Sequence, residues 1–298
     1  MTTRQILTGL DGSPESEAAA DWAAREAAAR GVGLRLVHVW PWLAVGAVAE
    51  AGTPCPGGLQ PAAVEALAGT AERLRSAYPG LAVETDLIGA DPVDGLLRAS
   101  AGAELLVVGS RGIGGFAGLV VGSVGLAVAA RSAVPAVLVR ARHAATGEGG
   151  VGRADGAVLL GVDVHQPADA LLDFAFAEAA LRDVPLRAVH SWQLTPVGVY
   201  GGVVPPPVDP VGQEGAARAA LEEALAPWRA KYPGVAVVTE LRFDGAAWSL
   251  INSATEQDVS LVVVGRRERP LPVGPRLGAV AHAVLHHSPA PVAVVPHP

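Results

Sequence analysis

The chain is poor in the residues that build several classes of site. Its 298 residues include one cysteine, one methionine and one lysine, and aromatic side chains make up only 4%. The single cysteine, Cys55, closes no internal disulfide and supplies no cysteine-based zinc site; its TPCPGG setting reads as a surface thiol. With Lys231 as the sole lysine, a Walker A loop, which must place a lysine on the phosphates, is excluded. Positive charge is short as well. The balance of 22 basic against 29 acidic side chains leaves −7, shared almost evenly between the two halves, so neither half carries a footprint for nucleic acid or anionic lipid.

Targeting signals are equally scarce. The opening MTTRQILTGLDGSPESE turns acidic before an apolar core of a signal peptide forms, so a cytoplasmic location is expected. The uncharged run between Arg111 and Arg131 is long enough for a bilayer, and Gly114, Gly118 and Gly122 fall at GxxxG spacing. Six glycines crowd its first two thirds, which disfavours a helix and favours a loop, and no membrane association is expected.

What is present is a long internal repeat. ILTGLDGSPESEAAADWAAREAAARGVGLRLVHVW from Ile6 matches VLLGVDVHQPADALLDFAFAEAALRDVPLRAVHSW from Val158, with Asp11 answered by Asp163 and His38 by His190. LLVVGSRG from Leu105 matches LVVVGRRE from Leu261, and PAVLVRA from Pro135 answers PVAVVPH from Pro291. A repeat of this length is a duplicated domain, not a solenoid unit. Short Val/Leu/Ile runs alternate with Ala-rich helical stretches, the pattern of α/β units around a parallel sheet.

In the first copy the pattern predicts strands near 4–10, 34–40, 81–88, 103–109 and 135–140, with helices near 14–30, 61–77, 92–101 and 123–131. Ser13-Pro14 predicts a capped helix start. The domains are expected at 1–143 and 157–298, joined by a linker at 144–156 that lacks apolar periodicity.

The stretch GSRGIGGFAGLVVGS from Gly109 to Ser123 is the most informative. It joins an apolar strand to a helix and exceeds the usual length of such a loop. Glycines let successive N–H groups close on an anion, and a helix start adds its positive dipole end. Ser123 either caps that helix or offers its hydroxyl to a phosphate oxygen. Gly112-x-Gly114-x-x-Ala117 mimics a dinucleotide signature, but it follows a late strand and no acidic residue stands between Glu104 and Glu148, so a nicotinamide site is not expected.

The spacing Gly109-x2-Gly112-x9-Gly122-Ser123 resembles the ATP-binding signature of the universal stress protein family. The opening LTGLDGSPESEAA is similar to that family's first strand and turn, and the duplication to its tandem members. The resemblance covers nearly the whole chain. It implies an adenine nucleotide alpha hydrolase-like α/β fold: two tandem open parallel five-stranded sheets in order 3-2-1-4-5, with helices on both faces. It also implies ATP, with or without Mg²⁺, bound across the carboxyl ends of the strands. Strands 1 and 4 flank a topological switch point in that order, where such ligands sit.

Carried over residue by residue, Gly9, Leu10 and Asp11 close strand 1, with Asp11 accepting from the adenosine part or forming a turn before Gly12. Val39 meets the adenine through its backbone. Val108, Gly109, Arg111, Gly112, Gly122, Ser123 and Val124 take the phosphate side, with Arg111 either neutralising phosphate or standing as a solvated charge.

The second copy departs from this pattern. Gly112 is answered by Glu268 and Ser123 by Ala279, while Pro270, Pro272 and Pro275 each remove a backbone donor. Arg266, Arg267, Arg269 and Arg276 restore positive charge, so weakened or altered binding is expected there. His282 and His286, four apart, are read as a helix surface pair and not as metal ligands. His38 and His190 are read as satisfied core histidines.

No catalytic constellation is found. The expected function is an ATP-binding regulatory protein of the stress response; the alternatives are a slow ATP hydrolase of the same fold and a non-binding scaffold. The last strand of each copy is expected to meet the other, making an internal pseudo-dimer, with a homodimer of the whole chain as a further option.

Overall fold

The computed structural model describes residues 4–40, 59–112, 121–141, 156–192, 210–256, 258–268 and 277–298. Cys55, the loop tip 113–120, most of the expected linker, and Arg269, Pro270, Pro272, Pro275 and Arg276 lie outside the described residues.

The first copy runs β1 (Gln5–Gly9), α1 (Pro14–Arg30), β2 (Gly33–Trp40), α2 (Leu59–Ala77), β3 (Val83–Gly89), α3 (Pro92–Ala99), β4 (Leu105–Gly109), α4 (Ser123–Arg131) and β5 (Ala136–Val139). The second repeats it as β6 (Ala157–Gly161), α5 (Asp169–Arg182), β7 (Leu186–Ser191), α6 (Pro210–Lys231), β8 (Val237–Arg242), α7 (Ala246–Glu256), β9 (Val259–Arg267), α8 (Ala279–His287) and β10 (Val292–His297).

Local chemistry explains these limits. Ser13 is the N-cap of α1, its hydroxyl accepting from the Ser16 N–H at 3.1 Å, and Pro14 stands at the first helical position, where its missing N–H costs nothing. Gly31 ends the helix in a left-handed conformation, φ 65°. The strands are apolar on both faces because helices cover both; β4 and β5 are buried almost throughout. Alternate side chains therefore feed two cores. Ile6, Leu36 and Val107 face α1 and α2, while Leu7, Val37 and Leu106 face α3 and α4. Both cores continue without a break into the second half.

Within each half the strand order is 3-2-1-4-5, all parallel, but the halves do not keep separate sheets. They join into one ten-stranded sheet, β3-β2-β1-β4-β5-β10-β9-β6-β7-β8. The join is the expected meeting of the last strands, an antiparallel pairing of Val292 with Leu138, Ala293 with Val137 and Val294 with Ala136. Merging follows from burial: β5 and β10 are too apolar to remain edges.

A polar lock beside the join was not anticipated from the sequence. Glu26 and Arg30 on α1 meet Glu178 and Arg182 on α5, and each pair is the other displaced by 152 positions. Arg182 bonds Glu26 at 2.6 Å, Arg30 bonds Glu26 at 2.7 Å, and both guanidinium groups also contact Glu178. The Arg182 guanidinium lies 5.6 Å from the Trp22 ring of the other half. Burial, reinforced by the Glu26 charge and opposed by the two arginines, pushes the Glu178 carboxyl up to about 7.

Candidate functional site

In the first half the ends of β1 and β4 are in contact. Gly9 is the last residue of β1, and Leu10 is buried, with its N–H donating to the Val37 carbonyl at 2.8 Å. The Leu10 carbonyl lies 2.8 Å from His38 Nδ1, so that nitrogen carries the proton. The second half repeats the contact between His190 Nδ1 and the Val162 carbonyl at 3.0 Å. Both histidines are thus satisfied, His190 in the core and His38 at its margin.

Asp11 starts the turn that leads into α1. Its Oδ1 accepts from the Ser13 N–H at 2.9 Å, and its Oδ2 lies against the backbone of Gly112, where a Cβ would sit 2.4 Å away. The same turn reaches the β4 loop a second time, as the Ser13 hydroxyl donates to the Arg111 carbonyl at 3.3 Å. Gly109 is required by packing: a Cβ there would lie 2.8 Å from both the Glu15 carbonyl carbon and the Ser16 nitrogen. Val108 is buried directly before it. Val39 of β2, paired with Ile88 of β3, packs against Gly95 within α3, so its side chain is a wall residue.

The far side of the loop returns at Gly122, whose N–H donates to the Ser110 carbonyl at 2.7 Å. Gly122, and not Ser123, is the N-cap of α4, and it has no side-chain cap bond. Of the two roles open to Ser123, capping is thereby ruled out: Ser123 is the first helical residue and is exposed, because the chain already enters its helix at the glycine. Val124 follows, half-buried against the core. The first intrahelical bond runs from Leu126 N–H to the Gly122 carbonyl. The N–H groups before it are the donors that a helix start leaves free for an anion.

Of the two readings of Arg111, the solvated charge is corrected by an ion pair. Its Nη2 and Nε lie 2.7 and 2.9 Å from Glu15 Oε1. Glu15 is buried in the first turn of α1, where the sequence shows only an acidic helix start.

The second half builds the corresponding place differently. Pro14 matches Gln166, yet α5 begins only at Asp169, with Ala168 in the cap position and no side-chain cap bond. The first helical turn is missing. Gly265, the counterpart of Gly109, therefore faces the His297 imidazole, with a Cβ position 2.8 Å from Nε2. Beyond Gly265 the chain stays in strand: Arg266 and Arg267 pair with Pro296 and His297, and Glu268 donates its N–H to the His297 carbonyl at 2.7 Å. A strand extended past Gly265 by residues other than glycine thus replaces the beginning of the phosphate loop. Arg266 does not restore charge to the site; it is buried and bonds the Ser132 carbonyl of the first half at 2.5 Å. At this end of the second sheet lies a cavity of about 820 Å³, bordered by Asp163, His190, Trp192 and Arg267. The sequence comparison of the two copies, centred on the loop, gave no sign of it.

The His282 and His286 rings lie tilted against each other with centroids 4.6 Å apart. Burial, together with His282, His287 and Arg140, holds His286 below the usual range. Among the described residues no three potential metal ligands form a group, and no helix is long and apolar enough to cross a membrane.

Comparison with known proteins agrees with the duplication. The sequence profile of the universal stress protein family matches residues 2–140 and again 156–296. The chain is 33% identical over 298 residues to Universal stress protein Rv2005c of Mycobacterium tuberculosis, covering 97% of this chain and 96% of the relative. It is 30% identical over 302 residues to Universal stress protein Rv2623 of the same organism, at 97% and 95% coverage. In fold it is similar to the crystal structure of a universal stress protein from Archaeoglobus fulgidus, with a TM-score of 0.69, 19% identity and 99% of each chain covered.

Proposed function

Starting from the fact that this chain belongs to the universal stress protein family and carries its domain twice, we propose that it is a regulatory protein that binds adenine nucleotide, ATP foremost, in its first half. Nucleotide occupancy biases conformation or partner binding in the stress response. The observation that carries this reading is the closure of the β1 turn onto the β4 loop, with Asp11 Oδ2 against the Gly112 backbone. It brings a carboxylate for the nucleoside and the glycine-lined start of α4 for the phosphates to one switch point.

Arg111 enters as an exchangeable partner. An incoming phosphate competes with Glu15 for its guanidinium, so binding loosens the contact between the β4 loop and α1. The likeness to the family supports a cytoplasmic, non-membrane setting. Any self-association of the whole chain uses surfaces other than β5 and β10, which already pair with each other.

The test is a nucleotide-release assay on purified, heat-denatured protein, followed by ATP titration of nucleotide-free protein. Bound adenine nucleotide, or titration with one ATP per chain, is expected. Gly112→Glu is expected to abolish binding by setting a carboxylate against Asp11 and the phosphates, whereas Glu268→Gly leaves it nearly unchanged. Absence of both released nucleotide and ATP binding sinks the reading, and equal losses from the two substitutions refute a first-half site. Incubation with ATP and Mg²⁺ separates binding from hydrolysis: several turnovers per hour above the Gly112→Glu control make the protein an ATPase.

A further inference from the structure

The last helix of the second half carries a histidine pair that packing does not require. His282 and His286 stand on α8 where the first half's α4 has Leu126 and Ala130, both packed against the core. The fold is thus built with apolar side chains at these positions, and the imidazoles are an addition to it. The four-residue spacing brings the two rings together, with centroids 4.6 Å apart and planes 37° from each other. His286 Nε2 is buried and has no hydrogen-bond partner. By contrast, His38 and His190 each bond a backbone carbonyl.

Geometry, charge state and position on the helix all suit this pair to a divalent transition metal. At metal–nitrogen distances of about 2.0–2.1 Å, two imidazoles on one ion at roughly 90–110° have centroids about 4.5–5.2 Å apart, a range that includes the observed separation. Burial, together with His282, His287 and Arg140, holds His286 below the usual range, so at neutral pH its ring is uncharged and has a lone pair to give. His286 also lies in the last turn of α8, where the helix's free carbonyls favour a cation and disfavour an anion. Arg140 of the first half opposes a cation, but its guanidinium is already bonded to the Leu285 carbonyl at 2.6 Å. Among the described residues no third ligand joins the pair.

We propose that His282 and His286 form a two-histidine site for a divalent transition metal, copper foremost, with water in the remaining coordination positions. Imidazole suits copper, nickel and zinc, and affinity follows Co < Ni < Cu > Zn. A bound ion ties together the last two turns of α8 beside Leu285, the residue whose carbonyl takes Arg140, and so stiffens the seam between the halves. Nucleotide binding in the first half has no part in it.

The test is calorimetric titration of the full chain with Cu²⁺, Ni²⁺ and Zn²⁺, with electron paramagnetic resonance of the Cu²⁺ form. A site for one ion per chain, tightest for Cu²⁺, is expected, with nitrogen coupling in the Cu²⁺ spectrum and a metal-dependent rise in melting temperature. His282→Ala and His286→Ala should each weaken that site at least about tenfold, no less than the loss of an outer-shell partner costs, and abolish the thermal shift. His287→Ala should not weaken it, since adjacent helical residues do not face each other, and Arg140→Gln should tighten it by removing a nearby positive charge. His282 is exposed, so its replacement leaves the fold intact, as checked by an unchanged melting temperature without metal. Dissociation constants above about 1 mM for all three ions, or Cu²⁺ binding insensitive to His282→Ala, overturns the proposal.

Discussion

Gly109 and Gly265 hold equivalent places in the two copies, and replacing each by alanine should give opposite results. At Gly109 the new Cβ lies 2.8 Å from two backbone atoms of the α1 start and 3.0 Å from Glu15 Cβ, well inside ordinary contact, which begins at 3.4 Å. Backbone in the first turn of a capped helix cannot swing aside, so α1 must shift by several tenths of an ångström. Overpacking of this kind costs about 1–3 kcal/mol, offset by about 0.4–1 kcal/mol from the stiffer unfolded chain. The expected net loss for Gly109→Ala is about 1–2 kcal/mol. The shift also moves Ser13 and Glu15 relative to the β4 loop, so ATP affinity should fall with stability. At Gly265 the nearest atoms belong to the His297 imidazole, the far end of a side chain, with Leu171 Cδ2 next at 3.2 Å. Gly265→Ala is expected to stay within about 0.5 kcal/mol of wild type and to leave ATP affinity unchanged. Urea denaturation at constant pH, with ATP titrations on the same preparations, measures both. If Gly265→Ala costs as much as Gly109→Ala, the missing first turn of α5 is not what separates the two halves.

Three further outcomes follow from the same geometry. Ser13→Ala removes the α1 cap and the bond to the Arg111 carbonyl, and should cost about 1 kcal/mol in urea denaturation while weakening ATP binding. Asp183 ends α5 at φ 53°, where the matching position in α1 is Gly31, so Asp183→Gly should stabilise the chain by about 0.5–1 kcal/mol; a loss of stability would contradict the left-handed assignment. Glu178 holds its proton more tightly in the folded chain, at about 7 against 4.5. Its contribution is therefore complete below about pH 4.5 and lost as pH rises through 7, roughly 3 kcal/mol by pH 8, and Glu178→Gln should flatten stability between pH 5.5 and 8; an unchanged slope in that variant assigns the dependence elsewhere.

The elements that rest on local chemistry were legible in the sequence. Helices α1 and α4 occupy the predicted ranges 14–30 and 123–131, and β5 meets β10 because neither run has an edge strand's polarity. The readings that failed concern partners far apart in the chain. Arg111 looks unengaged until folding brings Glu15 across 96 positions, and Arg266 looks like a site residue until β9 runs on and turns it toward Ser132. Of the two roles open to Ser123, capping falls away for a more local reason, since serine and glycine both serve as caps and only the backbone shows which one holds the position. The lock between α1 and α5 did leave a trace. Glu and Arg four apart recur at matching places in two Ala-rich helices, a pattern that a surface pair shares and that only burial distinguishes.

The antiparallel join determines how the two halves communicate. Because β5 and β10 run in opposite directions, the carboxyl ends of the first half's strands and those of the second point to opposite ends of the common sheet. The Asp11–Gly112 contact and the second-half cavity therefore open on opposite ends, and no single small ligand bridges them. Each site borders the start of its own helix, α1 or α5, and the far ends of those helices meet in the Glu26, Arg30, Glu178 and Arg182 cluster. On the proposed function, phosphate that takes Arg111 from Glu15 acts at the start of α1, and the far end of the same helix is where the first half meets α5 through buried charges.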